Sequence, residues 1–295
     1  MSKLMKNAAA VFAGCLPATA FAAWELNMPV GVTELSRDIH RLHMLIFWIC
    51  VVIALVVFGM MIYSIVKFRH SQGAVAANFD HSTKAEIVWT IIPIAILIGM
   101  AVPAAETLIK IEDTRNAELT VKITGYQWKW HYDYLDQKVN FFSTLARDSD
   151  AARQLNSGID PKSVENYLLD VDKPLVVPVG AKVRVLLTSN DVIHAWWVPA
   201  FGMKKDAIPG FVNELWFRAD QTGVFRGQCA ELCGYDHGFM PVVVEVKSKE
   251  EFAAWLKSQQ GGESQPAAPA AASSVEARAA SGATSGATAV VAKAE

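Results

Sequence analysis

Two long apolar runs near the N-terminus constrain this chain more than any other feature. Residues 42–66 and residues 87–105 contain no Lys, Arg, Asp or Glu. A helix rises about 1.5 Å per residue, so each run is long enough to cross about 30 Å of hydrocarbon. At these lengths two core helices of a soluble domain are the weaker alternative. We therefore predict membrane-spanning helices over about residues 42–66 and 87–108, in a hairpin that occupies residues 23–110.

The first 22 residues are typical of a secretory signal peptide. Lys3 and Lys6 precede an alanine-rich apolar stretch, and Ala20-Phe21-Ala22 fits a cleavage site with small residues at its first and third positions. Lipidation at Cys15 is the alternative, but the phenylalanine in "FAGC" is unusual for a lipoprotein box. We expect residues 1–22 to be removed.

The short connection between the two apolar runs predicts how the hairpin is oriented. It contains Lys67, Arg69 and Lys84, and short loops rich in basic residues stay in the cytoplasm. The mature N-terminus and everything after about residue 110 then lie outside, in the periplasm of a bacterium. We expect a two-pass protein of the bacterial inner (plasma) membrane. The mean hydropathy of +0.24 fits this class, and the net charge of −2 gives no reason to expect nucleic acid as a partner.

Residues 111–260 show the pattern of an all-β domain. Short runs rich in Val, Leu and aromatic residues, several alternating in period two, cover residues 119–126, 173–190, 213–219, 222–228 and 240–248. Residues 135–168 are more polar and irregular and are predicted to be a long insertion, and residues 249–261 are predicted to form a short helix. The remaining residues, 261–295, are mostly Ala, Ser, Gly and Pro, a composition that predicts a disordered tail.

The stretch "GQCAELCGYDHGFMP", residues 227–241, brings together Cys229, Cys233, His237 and Met240. A disulfide between the cysteines would close a very short loop. Zinc is disfavoured, because thioether is a poor zinc ligand and this spacing is not a usual finger. Thiolate, imidazole and thioether together favour copper, and the second cysteine indicates a second copper bridged by both sulfurs. A further imidazole is available from His194 in "SNDVIHAWWVP".

With these residues in place, the chain resembles subunit II of the haem-copper cytochrome c oxidases over roughly residues 25–260. The stretches that carry the resemblance, beside the hairpin, are "GYQWKWHYDY" (125–134), "DVIHAWW" (191–197), "GMKKDAIPGFVNELWF" (202–217) and "QCAELCGYDHGFMP" (228–241). The last is specific to the dinuclear copper A loop of that family. The fold it implies is a two-helix transmembrane hairpin followed by an all-β, cupredoxin-like sandwich.

The resemblance also implies a metal site with two copper ions. The implied ligand residues are His194, Cys229, Glu231, Cys233, His237 and Met240. Both thiolates bridge both coppers; the first imidazole and the thioether complete one copper, and the second imidazole and the backbone carbonyl of Glu231 complete the other. Such a centre, held stiffly and with no open coordination position, relays electrons and does no bond chemistry.

The activity implied is that of an aa3-type cytochrome c oxidase, in which this subunit accepts electrons from cytochrome c. The resemblance singles out Trp128 as the ring that receives them, and haem in subunit I as their destination, where oxygen is reduced to water with proton pumping. Subunits I and III are the expected membrane partners. This chain contains no C-x-x-C-H and no haem site of its own. The side chain of Glu231 is expected to reach a magnesium ion shared with subunit I, and Glu86 to lie at the mouth of a proton path.

Docking of a basic cytochrome c requires an acidic surface. Acidic residues slightly outnumber basic ones over residues 111–260, and Asp133, Asp136 and Asp191 lie beside the tryptophan and histidine motifs. Each is a candidate docking residue, and each is equally well explained as a solvated surface charge.

Three alternatives compete with an oxidase subunit. A quinol oxidase subunit would lack the copper ligands, and a nitrous-oxide-reductase-like protein would have a catalytic propeller and no hairpin. The alternative from a different class is a membrane-tethered copper-binding or electron-transfer protein that is not part of an oxidase.

Overall fold

The computed structural model describes residues 27–75, 78 and 80–260. The predicted signal peptide and the predicted disordered tail lie outside the described residues. Two long helices come first, α1 (Glu34–Lys67) and α2 (Thr83–Glu112), and both are long and apolar enough to cross a membrane. Their apolar side chains are exposed, as expected for helices that face lipid or other subunits.

Both helices extend beyond the predicted spans, because their polar ends are capped and continue outside the hydrocarbon. α1 starts with a capping box: Thr33 Oγ1 accepts from Ser36 N at 2.9 Å, and Thr33 N donates to Ser36 Oγ at 3.0 Å. α2 begins after Ser82, whose hydroxyl accepts from the Ala85 amide. The apolar runs of the sequence thus indicate where the two helices lie, but not the capped turns by which each helix extends beyond its run.

The rest of the described chain is a β-sandwich with two short helices. Its elements are β1 (Leu119–Tyr126), β2 (Lys129–Tyr134), β3 (Val139–Ser143), α3 (Arg147–Ala152), β4 (Leu175–Pro178), β5 (Val183–Ser189), β6 (His194–Val198), β7 (Met203–Ala207), β8 (Asn213–Phe217), β9 (Gly223–Cys229), β10 (Pro241–Lys247) and α4 (Lys249–Gln260). One sheet has the order β3-β2-β1-β5-β8 and the other β4-β10-β9-β6-β7. The β1–β5 and β10–β4 pairs are parallel, and the remaining pairs are antiparallel.

The core lies between the two sheets and follows the period-two pattern. On β5, Val183, Val185 and Leu187 are buried, while the residues between them are partly exposed. β2 alternates in the same way, which buries Trp130 and Tyr132. The aromatic stretch 125–134 is therefore mostly a strand with one face in the core.

Several elements differ from the sequence-based prediction. The predicted irregular insertion, residues 135–168, contains β3 and the six-residue helix α3. The strands β6 and β7 were not predicted as separate strands, because each has only five residues and charged or tryptophan-rich runs obscure the alternation. The long predicted run 173–190 is divided into β4 and β5 by a turn at Gly180, where φ is +77°.

The start of α1 is fastened to the sandwich. Thr33 Oγ1 donates to the carbonyl of Phe201 at 2.9 Å, and Val32 N donates to the carbonyl of Ala200 at 2.8 Å. The Cβ of any larger residue at Gly202 would lie 2.8 Å from the Ser36 Cα, so the close approach requires glycine. We call this contact the first latch.

The end of α2 is fastened to the same domain by a second latch. Lys182 Nζ donates to the carbonyls of Asp113 and Arg115, each at 2.7 Å, and lies 4.3 Å from the centre of the Trp216 ring. Trp216 Nε1 in turn donates to the carbonyl of Lys110 at 2.9 Å. Both ends of the hairpin are therefore held against the β-sandwich.

Candidate metal centre

One end of the sandwich gathers the predicted ligands. β6 begins at His194, β9 ends at Cys229, and β10 begins directly after Met240. β6 and β10 both pair with β9, and Trp196 lies opposite Cys229. The segment that joins β9 to β10, residues 229–240, is called here the cysteine loop. Its position brings it against His194.

The two cysteines of this loop face each other without a bond. Cys229 Sγ and Cys233 Sγ are 3.8 Å apart, whereas a disulfide measures about 2.05 Å. Both side chains are buried, with exposed fractions of 7% and 3%. Two thiols at this distance are able to share metal ions.

Four further donors surround the sulfur pair. His194 Nδ1 lies 3.9 Å and the carbonyl oxygen of Glu231 3.4 Å from Cys229 Sγ. His237 Nδ1 lies 3.4 Å and Met240 Sδ 3.5 Å from Cys233 Sγ. Every residue predicted as a ligand is thus brought to one cluster.

The donor set fits copper by chemistry and by spacing. Two donors each about 2.2 Å from one ion, at a tetrahedral angle, are about 3.6 Å apart. The measured separations of 3.4 to 3.9 Å are close to that value. Soft sulfur with imidazole favours copper over zinc. The cluster of His194, Cys229, Cys233 and Met240 is consistent with a copper A site.

The two thiols differ in acidity. Burial opposes ionisation of Cys229, but hydrogen bonds with His194 and with the backbone at Ala195 and Glu231 outweigh it, so its pKa is lowered. The pKa of Cys233 is raised by burial and by the neighbouring Cys229 thiolate. A cation that binds both sulfurs must therefore displace the proton of Cys233.

His194 is held from three sides. Its Nε2 lies 2.8 Å from Asp191 Oδ1, which leaves Nδ1 directed at the sulfur pair. The Trp130 ring packs edge-on at a centroid distance of 5.9 Å. On the third side is Gly125, where an added Cβ would lie 2.8 Å from the imidazole Cδ2. The imidazole is completely buried and has no room to turn.

Trp128, the predicted electron acceptor, is in direct contact with the cysteine loop. It lies in the β1–β2 turn at the same end of the sandwich, and its indole Nε1 donates to the carbonyl of Cys233 at 3.1 Å. Gln127 Nε2 donates to the same carbonyl at 2.9 Å. Trp128 is half-buried, so part of the residue remains exposed while its indole Nε1 touches the backbone of a predicted ligand.

Asp191 connects this turn with the histidine. Its Oδ2 accepts from Gln127 N at 2.7 Å, while its Oδ1 faces His194. These bonds lower the pKa of Asp191 even though burial opposes ionisation. The sequence placed Asp191 beside the histidine motif, but nothing in it indicated that one carboxylate would join the imidazole to the Trp128 turn.

The other predicted residues lie in different places. The Glu231 side chain is exposed beside the cluster. Asp133 is near the far end of β2, and Asp136 lies in the turn beyond it, about 17 Å along the strand from the Trp128 turn. Glu86 is in the first turn of α2, at the opposite end of the hairpin from the sandwich. For docking and proton uptake these three residues stay predictions.

Two residues that sequence reasoning did not single out support the site. Gln127 shares the Cys233 carbonyl with Trp128, and Trp130 Nε1 donates to the carbonyl of Met240 at 3.3 Å. The only signal for either was membership of the motif 125–134, whose Trp130 is buried in the core on β2. Trp130 also fixes the end of the cysteine loop.

Family models match both parts of the chain. Residues 22–106 match the model described as cytochrome C oxidase subunit II, transmembrane domain, and residues 119–247 match the periplasmic domain of the same subunit. The chain is therefore a membrane protein with two transmembrane helices and a periplasmic domain. The first match includes α1 and most of α2, and the second runs from β1 to the end of β10.

Individual relatives agree with this division. A probable cytochrome c oxidase subunit 2 from Rickettsia bellii is 40% identical over 237 residues, which cover 80% of this chain and 84% of the relative. Cytochrome c oxidase subunit 2 from Cereibacter sphaeroides is 36% identical over 271 residues, covering 85% and 89%.

Among solved structures, the periplasmic domain of subunit II of the cytochrome oxidase of Bradyrhizobium japonicum is 47% identical. It covers 50% of this chain and 96% of its own, with a TM-score of 0.43. The relatives from Rickettsia bellii and Cereibacter sphaeroides match most of their own length, and the paired thiols, imidazole and thioether are consistent with a copper A centre. This chain belongs to the family of cytochrome c oxidase subunit II, the subunit through which electrons enter the oxidase at copper A.

Proposed function

We propose that the cysteine loop and His194 hold two copper ions, with Cys229 and Cys233 bridging both. His194 and Met240 would complete one copper, and His237 with the Glu231 carbonyl would complete the other. The single observation that carries the proposal is the unbonded sulfur pair, buried and 3.8 Å apart, with the four other donors within 3.9 Å of one sulfur or the other. A mononuclear site would leave one of the two buried thiols without a function.

The protein's contribution is to hold the donors still. When bound, the copper pair supplies a one-electron couple shared between two metals through the bridging sulfurs. His194, Cys229 and Met240 stand at strand ends of a packed sandwich, and His194 is fixed by Asp191 and Gly125. Preorganised ligands change position little when the charge of the centre changes, which keeps electron transfer fast at small driving force.

Electrons are proposed to reach the centre through Trp128. The support is the hydrogen bond from its indole to the Cys233 carbonyl, which leaves no gap between a surface ring and a bridging ligand. The donor is cytochrome c. Asp191 lies next to Trp128 and is the best placed of the candidate docking residues, since 27% of its side chain stays exposed. Asp133 and Asp136 would add a weaker and more distant contribution.

The proposed partners are subunits I and III of an aa3-type oxidase. Electrons leave this chain for haem in subunit I, where oxygen is reduced to water and protons are pumped. The exposed carboxylate of Glu231, next to the cluster, is proposed to reach a magnesium ion shared with subunit I. Glu86, exposed in the first turn of α2, is proposed to lie at the mouth of a proton path.

We also propose a division of the chain into four segments and an orientation of the hairpin in the membrane. Residues 1–22 are proposed to be a signal peptide, residues 23–110 the hairpin, residues 111–260 the copper-binding domain and residues 261–295 a separate C-terminal tail. Basic residues in the connection between α1 and α2 support a cytoplasmic loop, with both the mature N-terminus and the β-domain in the periplasm of a bacterial inner membrane.

The test of the copper assignment is electron paramagnetic resonance of the copper-loaded, oxidised full-length chain. Two equivalent coppers that share one unpaired electron give a seven-line hyperfine pattern, together with two coppers per chain by metal analysis. A four-line pattern, or zinc in place of copper, would contradict the proposal.

A separate measurement tests the partners. Purification of the tagged chain from native membranes is expected to bring a haem-containing, polytopic subunit with it. If the chain is isolated with two coppers and no haem partner, it is a tethered copper protein and the assembly proposal fails, while the copper assignment stands.

A further inference from the structure

The second imidazole of the site, His237, is not held as the first is. Its Nδ1 faces Cys233 Sγ at 3.4 Å, but the ring is partly exposed. Among the residues that the structure describes, none hydrogen-bonds its Nε2. Its orientation therefore depends on the single 3-10 turn that carries it, His237–Phe239.

Arg153 contacts this turn on both sides of the histidine. Its Nη1 lies 3.3 Å from Asp236 Oδ1, on the residue just before His237. Its guanidinium carbon lies 4.4 Å from the centre of the Phe239 ring, on the residue just before Met240. The Arg153 side chain thus contacts the residues on either side of His237, in a segment that is followed directly by Met240.

Arg153 is itself firmly placed. Its Nε donates to Asp150 Oδ1 at 2.7 Å, and its backbone N–H donates to the carbonyl of Ser149, which is buried. Ser149 Oγ accepts from Leu168 N at 3.1 Å, so α3 is tied back to the rest of the insertion. The side chain of Arg153 is only 23% exposed.

The space around Arg153 adjoins the predicted electron acceptor. Arg153 and Asp150 line a cavity of about 210 Å³ that Trp128 and Phe239 also line. The insertion therefore reaches the cysteine loop and the Trp128 turn at the same place, which neither the loop motif nor the spacing of the ligands required.

We propose that Arg153 is a positioning residue for the metal centre. It holds the turn that carries His237 and leads to Met240. Arg153 thus supports His237, which we call the exposed half of the site, as Asp191 supports His194, the buried half. The planar guanidinium suits this role, because it pairs with two carboxylates at its edge and stacks on an aromatic ring with its face. The inference rests on the proposed copper site.

The experiment uses the full-length chain in detergent, loaded with copper. In Arg153→Gln we expect copper loss to a chelator to accelerate about tenfold or more, as found for changes to groups that orient metal ligands. We also expect faster hydrogen exchange in residues 236–240 of the metal-free protein, with exchange in β10 unchanged. The matched control is Arg147→Gln, which removes the same charge from an exposed position at the start of α3, the helix that Arg153 directly follows.

Two further variants separate positioning from folding. Arg153→Lys keeps the charge but not the planar group, so copper loss should be intermediate. In Asp236→Asn, the additional change Arg153→Gln should have less effect than it has in the wild type, because the pair is already broken.

The proposal is overturned if Arg153→Gln matches Arg147→Gln in both copper loss and hydrogen exchange. If Arg153→Gln does not fold, wild-type values for Arg153→Lys overturn it instead. Failure of the copper assignment is visible separately, as a wild-type chain that does not bind two coppers.

Discussion

The two histidines of the candidate metal centre offer the same kind of donor, an imidazole Nδ1, but the structure holds the two rings in different ways. His194 is completely buried, with its outer nitrogen fixed by Asp191 and its ring pressed between Gly125 and Trp130. His237 is partly exposed, on a one-turn segment supported at its flanks by Arg153.

This difference shows that the core of the sandwich supplies rigidity to only half of the site. The other half depends on an insertion between β3 and β4, outside the two sheets. The buried half is fixed by packing, which a single substitution disturbs strongly, and the exposed half by a few polar contacts, which should be lost one at a time. The variants below test that contrast.

The largest loss of metal and activity is expected from a change to the cysteine pair, which lies between His194 and His237. Cys229→Ser removes one of the two proposed bridging thiolates, so the proposed dinuclear centre should be lost together with nearly all turnover. Metal analysis and electron paramagnetic resonance of the purified protein are the measurements. Two retained coppers and normal electron uptake would show that the sulfur pair does not bridge.

Electron uptake should fail next, with both halves of the site intact. Trp128→Gln removes the ring but leaves every metal donor, so copper content and the spectrum should stay as in the wild type while reduction by cytochrome c slows severely. Stopped-flow reduction of the centre separates these outcomes. Unchanged reduction would mean that electrons reach the site by a route other than the Cys233 carbonyl.

The buried half is tested by Asp191→Asn. An asparagine offers one acceptor oxygen where the carboxylate uses two, so either His194 or the Gln127 amide loses its partner. We expect copper to be lost to a chelator about 10 to 100 times faster.

The control for this variant is Asp148→Asn, an exposed carboxylate on α3. The contrast between the two halves also predicts that Asp191→Asn exceeds Arg153→Gln in this assay. The reverse order would show that the surface turn, and not the core, dominates metal retention.

The smallest effect is expected for the distant acidic residues. Asp133→Asn combined with Asp136→Asn should raise the KM for cytochrome c by less than about twofold at moderate salt, since charges beyond a screening length of about 10 Å steer weakly. Asp136 lies about 17 Å along β2 from the Trp128 turn. A larger rise, diminishing with ionic strength, would extend the docking surface along that strand.

The family and the residues that gather in the candidate metal centre were predictable because the information is local. Five of the six predicted ligand residues lie within residues 229–240, and strand-period runs bracket them on both sides. The membrane spans were predictable for a similar reason, since length and lack of charge suffice. The comparisons confirm the predicted family, fold class and function.

What the sequence did not reveal depends on contacts between distant segments. Asp191 meets Gln127 across 64 residues, and Arg153 meets Asp236 across 83. No pattern within either segment indicates which carboxylate will find a partner and which will stay solvated. The five-residue strands β6 and β7 were missed because pairing with β9 and with each other, rather than local alternation, defines them.

The two latches have a mechanical consequence for the oxidase. With the start of α1 tied down at Thr33 and the end of α2 at Lys182, the β-sandwich is attached to the hairpin at two points, and each opposes pivoting about the other. The β-sandwich is therefore joined to the two helices by contacts at two places and does not hang from a single flexible linker. In the proposed electron route, the soluble donor must then diffuse to this subunit, and the distance for onward electron transfer is set once, when the subunit is built into the membrane.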